Sequence, residues 1–511
     1  MKLRGIINVM FLKFLCFFYS TTLLLILITG SSFGQGKNKK PNIIILLADD
    51  MGYGDVGVYG SKKIPTPNMD QLAQEGMVFT DAHSPGATST PTRYALLTGR
   101  YYWRSDMDVK GGYGYATPRL ESEIQTLPEY LSDNGYHTAA IGKWHLGLQW
   151  GLEEGAEWAG ENGGNIDYHK PITNGPLQHG FDYFFGLAGS LDMPPWTFIE
   201  NDQTVGVPSV DKDPRNTLQW DRGGLMTPGW KDEDVGPALA KKAKEFIRSH
   251  QKQQSEYPFF LYYAATAPHS PCVPPDFIKG KSMAGERGDM VAEFDWAVGE
   301  IDQLLDELEL KENTILIVTS DNGALTNGPP HWGDPLDREK YDVDHQRHLP
   351  NGVLRGQKAD IWEGGHRVPF IIRWPGIVSE GSVNRDVISL IDFYSTFANI
   401  LKGSAPREAL DSYNILPTLY GEALEDRMPL IHRAPRSGLF AIRKGSWKLI
   451  EERGSGGFTR PIEWKIQRGE PKGQLYNLDT DLSESKNLWD SHRGIVERLQ
   501  DILNEYREQN E

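Results

Sequence analysis

The chain predicts an α/β fold in which a large doubly wound, mixed but mostly parallel sheet is flanked by helices and followed by a smaller C-terminal α/β subdomain. Largely apolar runs recur at 42–48, 137–141, 259–264, 314–318 and 369–373. Runs that are apolar throughout suit strands covered on both faces, as in parallel sheets. Helical patterns lie between them at 68–76, 126–134, 235–250 and 290–308, and strands alternating with helices favour a doubly wound arrangement. After about Pro417 the texture changes. Residues 439–449, with the alternating Gly445-Ser446-Trp447-Lys448-Leu449, read as strands, 474–478 as another and 495–507 as a closing helix.

The first strand, Asn42-Ile43-Ile44-Ile45-Leu46-Leu47-Ala48, follows a short basic linker at 37–40 and ends in Asp49-Asp50. Polar residues gather at the ends of the predicted strands, the expected place for a ligand in an open α/β sheet. The long segments 149–174 and 328–351 are rich in Gly, Pro and Trp and read as loops around such a site. Ahead of all this, Lys2, Arg4 and Lys13 precede an apolar stretch at 14–28 and then Gly30-Ser31-Ser32-Phe33-Gly34-Gln35. That order reads as an export signal over 1–35, with an uncleaved anchor as the competing reading. The remainder divides into a large domain over 40–417 and a subdomain over 418–511.

At 511 residues, 39% hydrophobic and 24% charged, the chain has the composition of a large enzyme rather than of a disordered or fibrous protein. Its formal charge of -16 argues against a nucleic-acid binder, since a phosphate backbone needs a cationic surface. Without the export signal, Cys272 is the one remaining cysteine, so no intrachain disulfide can form and the core, with a metal if one binds, must hold the fold.

The chemistry centres on Ser89-Thr90-Pro91-Thr92-Arg93-Tyr94-Ala95-Leu96-Leu97-Thr98-Gly99-Arg100. Pro91 suits the first turn of a helix, since its fixed φ is helical and its missing N–H would be unpaired there. Ser89 is therefore expected just before a helix N-terminus, where free amides and the macrodipole favour a sulfate or phosphate. Asp49-Asp50 and Asp321-Asn322 supply hard oxygen ligands at two strand ends, which suit calcium or magnesium rather than zinc. Lys143 and His145, two apart in Gly142-Lys143-Trp144-His145, would point the same way from an extended segment. His269 follows another apolar strand, and Lys358 lies in Leu354-Arg355-Gly356-Gln357-Lys358.

The twelve residues resemble the signature of the type I sulfatases, members of the alkaline-phosphatase-like superfamily, in which a Cys or Ser at the first position is converted to formylglycine. Pro91, Arg93, Leu97, Thr98, Gly99 and Arg100 agree with it, whereas Thr92 stands where Ser is usual. The resemblance extends in family order through the other motifs and over nearly the whole mature chain. It implies a sulfuric ester hydrolase with one ion, calcium rather than magnesium, on Asp49, Asp50, Asp321, Asn322 and the modified Ser89. The C-terminal segment resembles the family's small subdomain, an antiparallel sheet with a closing helix.

In that family the formylglycine hydrate offers one hydroxyl to attack sulfur and a second to expel sulfate afterwards, dividing one hard step into two easier ones. The resemblance implies that Arg93 and Lys143 orient the diol and that Lys143 and Lys358 hold sulfate oxygens. His269 would protonate the departing alcohol, and His145 would be the base. The Glu363-Gly364-Gly365 stretch, with His366 and Arg367 beside it, is expected to shape the backbone. A serine at position 89 implies maturation by a radical enzyme in a bacterial cytoplasm before export to the periplasm, cell surface or medium. Neither a nucleic acid nor a stable membrane partner is expected. The implied substrate is a sulfated carbohydrate, an algal polysaccharide such as ulvan or carrageenan or a host glycan. Two alternatives stand beside it: a phosphomonoester or phosphodiester hydrolase of the same superfamily, and a non-catalytic glycan-binding relative.

Overall fold

The computed structural model describes residues 39–508 apart from 107–109, 111–112, 161, 213–221, 327–347 and 425–426. The export signal and most of the loop expected at 328–351 therefore lie outside the described residues. All elements below belong to one compact unit, Pro41–Glu511. Among the described residues no helix is long and apolar enough to cross a membrane.

The central sheet contains β1 (Asn42–Ala48), β2 (Met77–Phe79), β3 (His137–Lys143), β4 (Tyr183–Leu187), β5 (Ile199–Glu200), β6 (Gln203–Thr204), β7 (Phe259–Ala264), β8 (Thr314–Ser320), β9 (Phe370–Arg373) and β10 (Ser382–Asn384). Their spatial order is β10-β2-β9-β8-β1-β7-β3-β4-β5-β6. The core of the sheet is parallel, with Ile43 opposite both Phe260 and Ile315, while β9 and β5 run antiparallel to their neighbours. The mixed, mostly parallel sheet agrees with expectation, and β1 and β7 take the boundaries their apolar runs predict. Strand β3 continues two residues beyond its apolar run, which carries Lys143 to the sheet's carboxyl edge.

The two faces explain why β1 is apolar at every position after Asn42. Ile43, Ile45 and Leu47 pack with Tyr94, Leu96 and Leu97 of helix α2 (Ser89–Thr98), whereas Ile44, Leu46 and Ala48 join a separate layer. That second layer includes Leu239 and Ile247 of α4 (Val235–Gln253) and Ile301 and Leu305 of α5 (Gly285–Glu307). Helices α1 (Pro67–Glu75) and α3 (Leu127–Asp133) fall within a residue or so of their predicted ends. Truncating a side chain such as Ile45 would lose its transfer energy and leave a cavity, about 2–5 kcal/mol.

Helix α2 starts one residue earlier than Pro91 suggests. Thr88 is the extended residue before it, so Ser89 is the first helical residue rather than the one that precedes the helix. The helix ends at Gly99, whose φ of 67° is left-handed and whose N–H donates to the Ala95 carbonyl at 2.8 Å. A Cβ there would meet Ala409 Cβ at 2.7 Å. The Thr98-Gly99 part of the motif is thus the stop of the helix that Ser89 begins.

The C-terminal sheet is antiparallel throughout, in the order β11 (Leu430–Arg433), β12 (Phe440–Lys444), β13 (Trp447–Ile450) and β14 (Gln474–Asn477). Val496, Leu499 and Leu503 of the closing helix, Arg493–Glu508, pack with Ile442, Leu449 and Leu475 of this sheet and with Ala95 and Tyr101 from the α2 region.

One buried residue on α5 has a measurable consequence for stability. Glu293 is 4% exposed, its Oε2 has no hydrogen-bond partner, and burial pushes its pKa up to about 8. The folded protein therefore keeps a proton that the unfolded chain releases near the ordinary value of 4.5. Stability from this group is complete below that value and is lost as pH rises through about 8, with a slope of at most about 1.4 kcal/mol per pH unit. Thermal melts between pH 5 and 8 should show a shallower decline for Glu293→Gln than for the natural protein, and parallel declines would refute the assignment.

Candidate active site

Four adjacent strands, β8, β1, β7 and β3, deliver the predicted chemistry to one edge of the sheet. Asp49 and Asp50 leave β1, Asp321 and Asn322 leave β8, His269 follows β7, and Lys143 closes β3. The loops after β1 and β8 are tied together, since Ser320 Oγ accepts from the Met51 N–H and donates to the Asn322 carbonyl, both at 2.9 Å.

Ser89 Oγ lies 3.2 Å from Asp49 Oδ1 and 3.0 Å from Lys143 Nζ. Lys143 reaches both Asp49 oxygens, at 3.0 and 2.8 Å. Arg93, one turn further along α2, pairs with Asp321 Oδ2 at 2.7 Å and donates to the Lys143 carbonyl at 3.2 Å. Lys358 Nζ pairs with Asp50 at 2.8 Å, and Asn322 donates its amide to Asp50 Oδ1 at 2.7 Å. Asp49, Arg93, Asp321 and Asn322 are fully buried.

These contacts decide the charge states. Burial alone would raise the pKa of Asp49 and Asp50, but Lys143 for Asp49 and Lys358 for Asp50, each followed by His269, bring both below the ordinary carboxylate value. Burial lowers the pKa of Lys143 against the pull of Asp49, while Asp50 raises that of Lys358 against burial. The result is a cluster of ionised carboxylates held among cations.

His145 reaches the site by a route the sequence does not reveal. Its φ is 58°, so the chain has left the extended conformation and Lys143 and His145 converge through a left-handed turn, not through strand alternation. Burial, followed by the nearby charges of Lys143, Arg93, Arg119 and His269, holds its pKa well below the usual value, and its Nδ1 has no partner. It is a neutral imidazole with a free ring nitrogen. His269 Nδ1 donates to the Ser270 carbonyl at 2.6 Å, leaving Nε2 on the Asp50 side at 3.7 Å.

The donor set fits a hard divalent ion. Asn322 Oδ1 is buried beside the carboxylates without a hydrogen-bond partner, and a cation would satisfy it. Ligand atoms of Asp49, Asp50 and His269 lie within 4.8 Å of one another. Oxygen donors of this kind suit calcium or magnesium.

A second buried cluster, His83, His366 and His432, brings ring nitrogens equally close, but its bonding is complete without an ion. Lys448 donates to His366 Nε2 at 3.2 Å, His366 and His83 share a bond between Nδ1 atoms at 3.0 Å, and His83 Nε2 meets Asp81 at 2.7 Å. The rings of His366 and His432 stack with centroids 3.7 Å apart. Glu363 bonds Lys448 at 3.0 Å, and Gly365 has room for no Cβ, since the Asp360 carbonyl would be 2.1 Å from it. This stretch supports the fold beside the site, as its sequence leads one to expect.

Sequence reasoning did not single out Arg287 or Asp55. Arg287, inside α5, donates to the Asp50 carbonyl at 3.0 Å and grips Asp55 at 2.9 and 2.6 Å. These bonds hold Asp50 at a left-handed φ of 69°. Arg287 lies ahead of the helical pattern expected at 290–308 and enters the helix only because it starts at Gly285, so no pattern marks it.

The sulfatase family model matches residues 41–404. The chain belongs to the sulfatase family. It is 36% identical to an N-acetylgalactosamine-6-O-sulfatase of Bacteroides thetaiotaomicron over 92% of this chain and 94% of that protein. It is 32% identical to human N-acetylgalactosamine-6-sulfatase over 78% of this chain and 69% of that one. Among solved structures, a protein of glycosaminoglycan metabolism from Bacteroides thetaiotaomicron superposes with a TM-score of 0.77 at 33% identity, covering 92% of this chain and 99% of that one. A protein crystallised with a neocarrahexaose superposes at 0.68 with 25% identity, covering 93% and 94%. The sulfatase is thus an enzyme whose candidate metal-binding groups occupy one sheet edge.

The buried Arg93–Asp321 pair makes a sharp test of that architecture. Arg93→Met strands an ionised carboxylate and should destabilise the sulfatase by about 3–5 kcal/mol. Adding Asp321→Asn should recover part of that loss in thermal melts, whereas additive losses would mean the two residues act independently.

Proposed function

We propose that this sulfatase removes sulfate from a sulfated carbohydrate using a formylglycine formed at Ser89. The observation that carries the reading is Ser89 at the start of α2, bonded to Lys143 and Asp49 beside three buried carboxylates. Formylglycine, as its hydrate, supplies one hydroxyl to attack sulfur and a second to expel the sulfate.

Arg93 and Lys143 orient that group, as their contacts with Asp49, Asp321 and Ser89 indicate. Lys143 and Lys358 hold sulfate oxygens. His269, with Nδ1 fixed on Ser270, presents Nε2 to protonate the departing sugar oxygen. His145, neutral because of burial and its cationic neighbours, accepts the proton released when sulfate leaves. Asp49, Asp50, Asp321, Asn322 and the modified Ser89 would hold a calcium ion, which would polarise the nucleophile and offset charge on the sulfate.

For the sugar we favour a 6-O-sulfated N-acetylhexosamine, supported by the names of the relatives above. A sulfated algal galactan such as carrageenan is the second choice, supported by the neighbour that holds a neocarrahexaose. We further propose removal of a signal over 1–35, a catalytic domain over 40–417 and a subdomain over 418–511. Ser89 would be modified by a radical maturase in the cytoplasm before export to the periplasm, cell surface or medium.

Peptide mass analysis of active protein should find residue 89 lighter than serine by a pair of hydrogens, and activity from wholly unmodified Ser89 would sink the proposal. Chelation of divalent ions should lower turnover, and Asp321→Ala should cost on the order of 100- to 1,000-fold in kcat. Faster turnover of an aryl phosphate than of the matching aryl sulfate would favour a phosphoester hydrolase instead.

A further inference from the structure

The wall beside His269 carries a charged pair that the reaction above does not use. Asp192 is 4% exposed, and its Oδ1 accepts no hydrogen bond although it lies 3.8 Å from His269 Nδ1. That nitrogen is committed to the Ser270 carbonyl. Asp192 Oδ2 pairs with Arg222 Nη1, which also donates to the Asp192 carbonyl at 3.2 Å. The guanidinium sits over the Tyr113 ring at 4.3 Å from its centroid. Both partners face solvent in part, Arg222 with 26% of its side chain and Tyr113 with 45% of the residue exposed.

A carboxylate oxygen buried without a donor is costly unless something bonds it when the site is in use. Among the described residues Arg222 is anchored through one nitrogen, Nη1, which leaves Nε and Nη2 as donors for a ligand. The wall therefore offers an acceptor and fixed donors next to the group assigned to protonate the departing oxygen. A sugar hydroxyl matches that combination, because it donates through its hydrogen and accepts through its oxygen. The exposed Tyr113 ring adds an apolar surface for the C–H face of a pyranose.

We infer that Asp192 and Arg222 form a specificity subsite that reads the ring hydroxyl at carbon 4, the hydroxyl nearest the sulfate-bearing carbon 6. The inference rests on the sulfated-sugar reading above. A site built around such a hydroxyl rejects the wrong configuration because the buried polar groups then stay unpaired.

The test compares 6-O-sulfated N-acetylgalactosamine with 6-O-sulfated N-acetylglucosamine, which share a leaving oxygen and differ only at carbon 4. The kcat/KM ratio for the two sugars is measured for the matured natural enzyme, Asp192→Asn, Arg222→Met and Arg222→Lys, with thermal melts to confirm folding. The natural enzyme should prefer one epimer. Asp192→Asn and Arg222→Met should each shrink that preference about tenfold or more, and Arg222→Lys should retain part of it. If both epimers slow in equal proportion in the variants, the pair merely supports His269 or the fold and the inference is overturned. Equal use of both epimers by the natural enzyme overturns it too. If the natural enzyme desulfates neither sugar nor any other sulfated saccharide, the sulfated-sugar reading fails first and takes the subsite with it.

Discussion

Three carboxylates, those of Asp49, Asp50 and Asp321, are buried together at the ends of two paired strands, and the rest of the site exists on the condition that each has a cation of its own. Unit charges about 4 Å apart interact by roughly 4 kcal/mol at the effective dielectric near a protein surface. Repulsion among the acids is therefore comparable with the attraction of each to its partner. Lys143 for Asp49, Lys358 for Asp50 and Arg93 for Asp321 come from three different elements. The electrostatic requirement thereby fixes the mutual placement of β3, α2 and the loop that precedes β9. Ser89 owes its position to the same requirement, because it begins the helix that carries Arg93 and is bonded to Lys143.

The scaffold makes such a cluster tolerable. Strands β1 and β8 are buried on both faces, so their ends are stationary reference points for short polar loops. Left-handed conformations occur where the loops after β1 and β3 turn sharply inward, at Asp50 and His145. Unfavourable backbone of this kind persists when surrounding bonds over-determine it. Asp50 is bound through its N–H by Asp321, through its carbonyl by Arg287 and through its carboxylate by Lys358 and Asn322.

Legibility in the sequence follows the same division. Strands such as β1 and β7 are readable to the residue because a short, continuous apolar run suits little besides a strand covered on both faces, and Asp49, Asp50, Asp321 and Asn322 follow directly from strand ends. The two-residue strands β5 and β6 carry no periodic signal, and the antiparallel direction of β9 is set by its neighbours rather than by its own residues. His145 is found by motif but not by geometry, since a non-glycine residue gives no warning of a positive φ. Asp192 carries no motif of its own, and its partner Arg222 is distant in sequence. What local pattern encodes is legible, and what depends on pairing across the fold is not.

The overall charge constrains how the sulfatase can recognise an anion. At -16 the chain repels a polyanion at long range. Screening in ordinary salt confines charge effects to roughly 10 Å. Around Ser89 and its carboxylates lie Arg93, Lys143 and Lys358, and Arg222 pairs with Asp192 beside His269. On the proposed reading, affinity must then come from one sulfate and the ring that bears it, held by direct contacts, rather than from the charge of a polymer. Selectivity among sulfated sugars falls accordingly to the few side chains able to touch that ring, and this is why an unpaired oxygen beside His269 carries more information about substrate than the net charge of the whole molecule.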